Sequence, residues 1–169
     1  MSSRFESEIE KLVTPLYRYA IAITGSLLDA EDLLQETLLK ILKTQNKFNQ
    51  IENKQTYSFT IMTNLFRDEH RRQTRRPTTG QLVFDPEINS ANKDLLREDQ
   101  NERIALAMKF FQRLPDLQRQ VMYLRCVEEY SISQIAKTLA TTENNIKASL
   151  SIGRKKVRQI MQQQKVNKS

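Results

Sequence analysis

The chain has 169 residues, with 27 Lys and Arg against 20 Asp and Glu, and it carries a formal charge of +7. That length suits one domain or two small ones, and the excess of base favours a polyanionic partner. One Cys, one His and three Gly argue against a disulfide framework, a Cys- or His-based metal site and a Gly-rich phosphate cradle. No apolar run reaches the roughly 18 residues that span a bilayer, and the polar start MSSRFESE is unlike a signal peptide, so a reducing cytoplasm is expected.

Charge is unevenly placed along the chain. Residues 1–36 carry three basic and seven acidic side chains, and residues 37–76 carry nine and three. Residues 77–143 carry eight and ten, whereas residues 144–169 carry seven basic side chains and no acidic one. Such blocks are usually solvated faces, but two of them, each on a helical pattern, favour a two-point grip on nucleic acid.

Helical periodicity dominates, with no hairpin dipeptide and no sustained alternation; Leu82-Val83-Phe84 is too short for a strand. Thr14 before Pro15 predicts a helix start, and Gly25 its end. Ser26 with Asp29 predicts a cap for a second helix running to about Lys43, acids early and lysines late. Residues 44–55 read as a loop and 56–76 as a helix. From Pro77 to about Lys93 the motifs PTTGQ, DPE and NSAN mark a linker. Helices are then predicted at about 94–113, 116–127, 132–139 and 143–163.

The last two form a helix-turn-helix pattern. Ile135, Leu139, Ile146 and Leu150 supply the apolar contacts, Ala136 is small where the second helix passes, and Ala140-Thr141-Thr142 is the turn, with Thr142 as cap. The second helix separates Ile146, Leu150, Gly153, Val157 and Ile160 from a basic stripe of Lys147, Ser151, Arg154 and Arg158. In a major groove its start, Asn144, Asn145, Lys147 and Ala148, would face base edges, and Arg154, Lys155 and Arg158 would fall near phosphate. An ordinary amphipathic surface helix is the alternative.

The first half holds two further patterns. In the second helix Ala30, Leu34, Leu38 and Ile41 face inward, while Asp32, Gln35, Glu36 and Leu39 form a separate acidic stripe. That stripe suits docking on a basic helix or a solvated face, and the residues alone leave the choice open. Residues 56–76 join Tyr57, Phe59 and Phe66 to Asn64, Arg67, Arg71, Arg72, Arg75 and Arg76, a composition suited to stacking unpaired bases while arginines hold the backbone. Phe59 and Phe66 are core candidates; Phe48 and Tyr57, near the loop, are the candidates for base contact. Cys126 reads as a small buried residue.

TGSLLDAEDLLQETLLKI, TYSFTIMTNLFRDEHRR and RLPDLQRQVMYLRCVEEYSISQIAKTLATTENNIKASLSIGRKKV together resemble the extracytoplasmic-function (ECF) group of bacterial sigma factors, in the sigma-70 superfamily. The resemblance implies an all-α chain of two small helical domains: residues 1–76 as region two, 77–100 as a flexible linker and 101–165 as region four. It implies a non-enzymatic factor without cofactor or metal that binds core RNA polymerase and directs it to promoters, helping open the DNA. Asp32, Gln35, Glu36 and Leu39 would dock on the clamp helices of the largest catalytic subunit, and region four would meet the flap. The loop near Asn46–Gln55 with Tyr57, Thr60, Asn64, Arg67, Arg71 and Arg72 would bind the minus-ten element. Lys147, Ser149, Ser151, Arg154 and Lys155 would contact the minus-thirty-five element. The resemblance also implies an anti-sigma factor, commonly membrane-anchored, with no membrane insertion by the chain itself. Tyr57 stands where the family usually has Trp, Thr63 where it has a basic residue, and Ala148 and Ser149 where Ser and Arg are common. Gly153 costs about 1 kcal/mol of helix propensity against Ala. A two-domain helix-turn-helix regulator acting without polymerase is the main alternative. A helical enzyme or adaptor with an incidental basic surface is the second, and a membrane-surface amphipath the weakest.

Overall fold

The computed structural model describes residues 3–75 and 106–167, and every regular element among them is helical. The stretch Leu82-Val83-Phe84, the linker motifs and the predicted helix over 94–105 lie outside the described residues. The chain divides between Ala91 and Asn92 into two compact units.

In the first unit α1 spans Ser3–Thr24, with Pro15 inside it rather than at its start. Proline removes one backbone donor and normally breaks a helix. Here Phe5, Leu12, Leu16, Tyr19 and Ile23 recur at helical spacing on both sides of Pro15, and all are buried. A continuous apolar face outweighs the lost bond. Gly25, at φ 68°, closes α1 in the left-handed conformation, its N–H donating to the Ile21 carbonyl at 2.9 Å. Helix α2 spans Leu27–Lys43; the Ser26 hydroxyl accepts from the Asp29 N–H at 3.3 Å, as its sequence predicts. Its buried line is Ala30, Leu33, Thr37 and Ile41, with Leu34 and Leu38 only half-buried beside it. Thr37 is tolerated there because its hydroxyl donates to the Leu33 carbonyl at 2.7 Å.

Residues 44–55 are not all loop. Helix α3 covers Gln45–Gln50 and buries Phe48, which meets Phe5 edge-on at 5.7 Å. One apolar side chain among six residues left no periodicity to detect. Helix α4 spans Lys54–Arg75, and Asn53 caps it by accepting the Thr56 N–H at 3.0 Å. Helices α1, α2 and α4 pack mutually. Their seam holds Tyr19 and Phe59, 4.8 Å between ring centres, and a 2.7 Å hydrogen bond between the Tyr19 and Thr63 hydroxyls.

In the second unit residues 106–111 are helical and bury Met108, Phe110 and Phe111. Helix α5 spans Asp116–Cys126, α6 spans Ile132–Thr138 and α7 spans Glu143–Asn167. Ser131 and Gln134 form a reciprocal capping box at the start of α6, with bonds of 2.9 and 3.1 Å. Cys126 is exposed, not buried, because it is the last residue of α5 and lies beyond the buried turn of Val121, Met122, Tyr123 and Leu124. Arg119, by contrast, is 2% exposed. Its guanidinium pairs with Asp116 and donates to Gln112 Oε1 at 3.4 Å, and burial lowers its pKa against the opposing pull of Asp116. Gly153 has a packing reason for its propensity cost: a Cβ there would lie 3.0 Å from Met122 Cγ, where α7 crosses α5.

Candidate nucleic-acid interface

The turn between α6 and α7 is fixed by its own backbone. Ala140 N–H donates to the Lys137 carbonyl at 3.3 Å and Thr141 N–H to the Ala136 carbonyl at 3.0 Å, with Ala140 at φ 52°. This is the paired-bond stop that usually takes glycine. Thr142 then caps α7, its hydroxyl accepting from the Asn145 N–H at 3.1 Å, and Asn145 Nδ2 donates to the Thr141 hydroxyl at 2.8 Å. The start of α7 is therefore held at a set angle to α6.

Ile135, Ala136, Leu139, Ile146, Leu150 and Gly153 are all buried, as the spacing predicts, while Val157 and Ile160, further along the same predicted stripe, are half-buried. Asn144, Asn145, Lys147, Ala148, Ser151, Arg154, Lys155 and Arg158 are exposed. Ser149 departs from expectation. It is 6% exposed and sits between Ile146 and Gly153 on the inward stripe, so it presents nothing to a groove. Its position three residues after Ile146 carried that information in the sequence.

Helix α4 brings together Tyr57, Thr60, Asn64, Arg67 and Arg71 at i, i+3, i+7, i+10 and i+14, a line about 21 Å long. Asn64 and Arg71 are exposed, and Tyr57, Thr60 and Arg67 are half-buried. Arg72 lies beside the line, exposed, with Glu69 3.8 Å away. Phe48 does not join them, because its ring fills the space between α1 and α4. Of the two base-contact candidates Tyr57 is the one left partly exposed, 6.4 Å from Phe48, with Lys47 Nζ 5.9 Å above its ring. Thr63 is buried and bonded to Tyr19, so position 63 faces the core.

On α2, Asp32, Gln35 and Glu36 are exposed and Leu39 is 54% exposed. Two further leucines share their line, Leu28 at 70% and Leu42 at 41% exposed. Leu28, Asp32, Gln35, Leu39 and Leu42 follow the 4–3–4–3 spacing of one helix stripe, which the sequence carried but which reads as core until burial is known. Three leucines are thus held out of the core, in register with the carboxylates of Asp32 and Glu36.

Among the described residues no cluster of His, Cys, Asp or Glu is arranged to hold a metal ion. Nor, among them, is any helix long and apolar enough to cross a membrane.

The family profile for Sigma-70 region 2 matches residues 9–76, and that for Sigma-70 region 4 matches residues 104–157. The chain is 30% identical over 144 residues to the ECF RNA polymerase sigma factor SigL of Mycobacterium tuberculosis, covering 80% of this chain and 76% of that one. The chain belongs to the ECF sigma factors of the sigma-70 family. This sigma factor directs RNA polymerase to promoters, and its family is non-enzymatic. It is also 27% identical to EcfG of Rhodopseudomonas palustris over 93% of this chain and 84% of that one. To SigX of Bacillus subtilis it is 25% identical, over 96% and 86%. Its fold is similar to that of the sigma factor RpoE in the co-crystal with the anti-sigma factor NepR from Bartonella quintana. The TM-score there is 0.72 at 20% identity, over 95% of this chain and 98% of that one.

Proposed function

We propose that the sigma factor divides its work among three helix faces. The stripe Leu28, Asp32, Gln35, Glu36, Leu39 and Leu42 docks on the clamp helices of the polymerase largest subunit. The Tyr57–Arg71 line with Arg72 binds the non-template strand of the minus-ten element and helps hold it open. Asn144, Lys147, Ser151, Arg154, Lys155 and Arg158 bind the minus-thirty-five element, with region four against the flap. The working units are residues 1–76 and 101–165, joined by 77–100.

The observation that carries this reading is the α2 stripe, three leucines exposed in register with two carboxylates and an amide. A regulator that acts on DNA alone has no use for it. Flipping bases out of a duplex costs a few kcal/mol each, so polymerase binding has to share that cost, and the free protein binds promoter duplex weakly.

An anti-sigma factor holds the protein in its inactive state by covering the Asp32/Glu36 face and the basic face of α7, and a membrane anchor on that inhibitor fits the family habit. Support comes from the RpoE neighbour, which was captured with its anti-sigma factor NepR.

The test is transcription from randomised DNA by core polymerase reconstituted with this protein. A recovered promoter with two spaced elements is the expected result. Transcription no different from core polymerase alone would sink the proposal.

A further inference from the structure

Lys54 stands where α4 itself disfavours it. It is the first helical residue after the Asn53 cap, with no acidic residue in the first turn, so the positive end of the helix dipole repels its ammonium. Three contacts hold it there, one of them from the distant helix α1. Nζ donates to the Ile51 carbonyl, at the end of α3, at 3.0 Å. It lies 3.8 Å from Glu8 Oε1 of α1, and 5.7 Å from the centre of the Phe48 ring. The two charged side chains are only 21% and 25% exposed, so solvent screens the pair less than a surface pair. One ammonium thus joins α1, the end of α3 and the start of α4 across the connection of residues 51–53. Tyr57 follows one turn later on α4, beside the same Phe48 ring.

We propose that Lys54, braced by Glu8, is a positioning residue that sets the connection between α3 and α4 and thereby aims the Tyr57 ring at an unstacked promoter base. This rests on the reading of Tyr57 as the base platform. Stacking requires the ring face to be presented at a fixed height and tilt, and a displacement near 1 Å can cost about a hundredfold in a step that depends on alignment. Neither Lys54 nor Glu8 contacts DNA in this scheme. Their effect passes through the Ile51 carbonyl and Phe48.

The test uses full-length protein with core polymerase on a promoter that the wild-type holoenzyme recovers from randomised DNA. Promoter opening is followed by permanganate reactivity of non-template thymines, and core affinity by fluorescence anisotropy. Lys54→Met keeps the stem and removes the charge; it slows opening about tenfold at unchanged core affinity, and Lys54→Arg restores opening. Glu8→Gln gives a smaller loss, about threefold, because the carbonyl contact survives. Loss of core affinity together with opening in Lys54→Met would mean that the lysine only maintains the fold, and would overturn the inference. Wild-type opening by Lys54→Met while Tyr57→Ala opens poorly would also overturn it, leaving the platform reading intact. Wild-type opening by Tyr57→Ala would remove the platform reading itself.

Discussion

At the scale of single residues, the second unit contains two small residues whose backbone or space explains them. Ala140 holds φ 52°, a conformation that costs an L-residue about 1 kcal/mol relative to glycine, so Ala140→Gly should raise stability by about that amount in chemical denaturation of the second unit. Gly153 has the opposite balance. Alanine would gain about 1 kcal/mol of helix propensity, but its Cβ would press on Met122, which is itself buried. We expect Gly153→Ala to lower stability by about 1 kcal/mol net, and expect the loss to shrink in a Met122→Ala background. Arg119 was the residue least legible from sequence, since arginines are seldom fully buried. Asp116→Ala should cost about 1–2 kcal/mol, a partial loss because Asp116 remains one-third exposed while its partner is not.

At the scale of elements, most helices could be read because caps and a 3.6-residue repeat agree. Ser26 before α2 and Thr142 before α7 each make the hydrogen bond their position predicts, and Ser131 with Gln134 adds a capping box before α6. Pro15 is a local signal for a helix start, yet α1 begins at Ser3, because the buried line from Phe5 to Ile23 is a tertiary signal that outweighs it. Helix α3 leaves no periodic signal in the sequence, because its six residues carry a single anchor, Phe48. The same distinction explains the site. Position near the loop makes Phe48 a candidate contact and the family resemblance implies Ser149, but packing decides orientation, and both are buried. On α2 the converse holds, since Leu28 and Leu42 look like core until their exposure is known. Leu28→Ser with Leu42→Ser should therefore weaken polymerase binding by about tenfold, measured by anisotropy, without lowering thermal stability. If these leucines are incidental, affinity will not change.

At the scale of the molecule, the net charge of +7 hides an uneven distribution along the chain. Residues 37–76 and 144–169 hold the basic excess, whereas residues 1–36 are acidic and include the start of the α2 stripe. If Lys147, Arg154, Lys155 and Arg158 each neutralise a phosphate, upstream DNA binding by the holoenzyme should weaken with a log–log salt slope steeper by about −3 to −4 than that of a variant lacking all four. The acidic face should respond differently, through polymerase rather than DNA. The most direct measurement is promoter-specific transcription by core polymerase reconstituted with wild-type protein or with Asp32→Lys and Glu36→Lys together. The account predicts a transcript that requires the protein and falls at least about tenfold in the double variant, while the fold is kept. An undiminished transcript from the double variant, or tight promoter binding by the protein without polymerase, would contradict it.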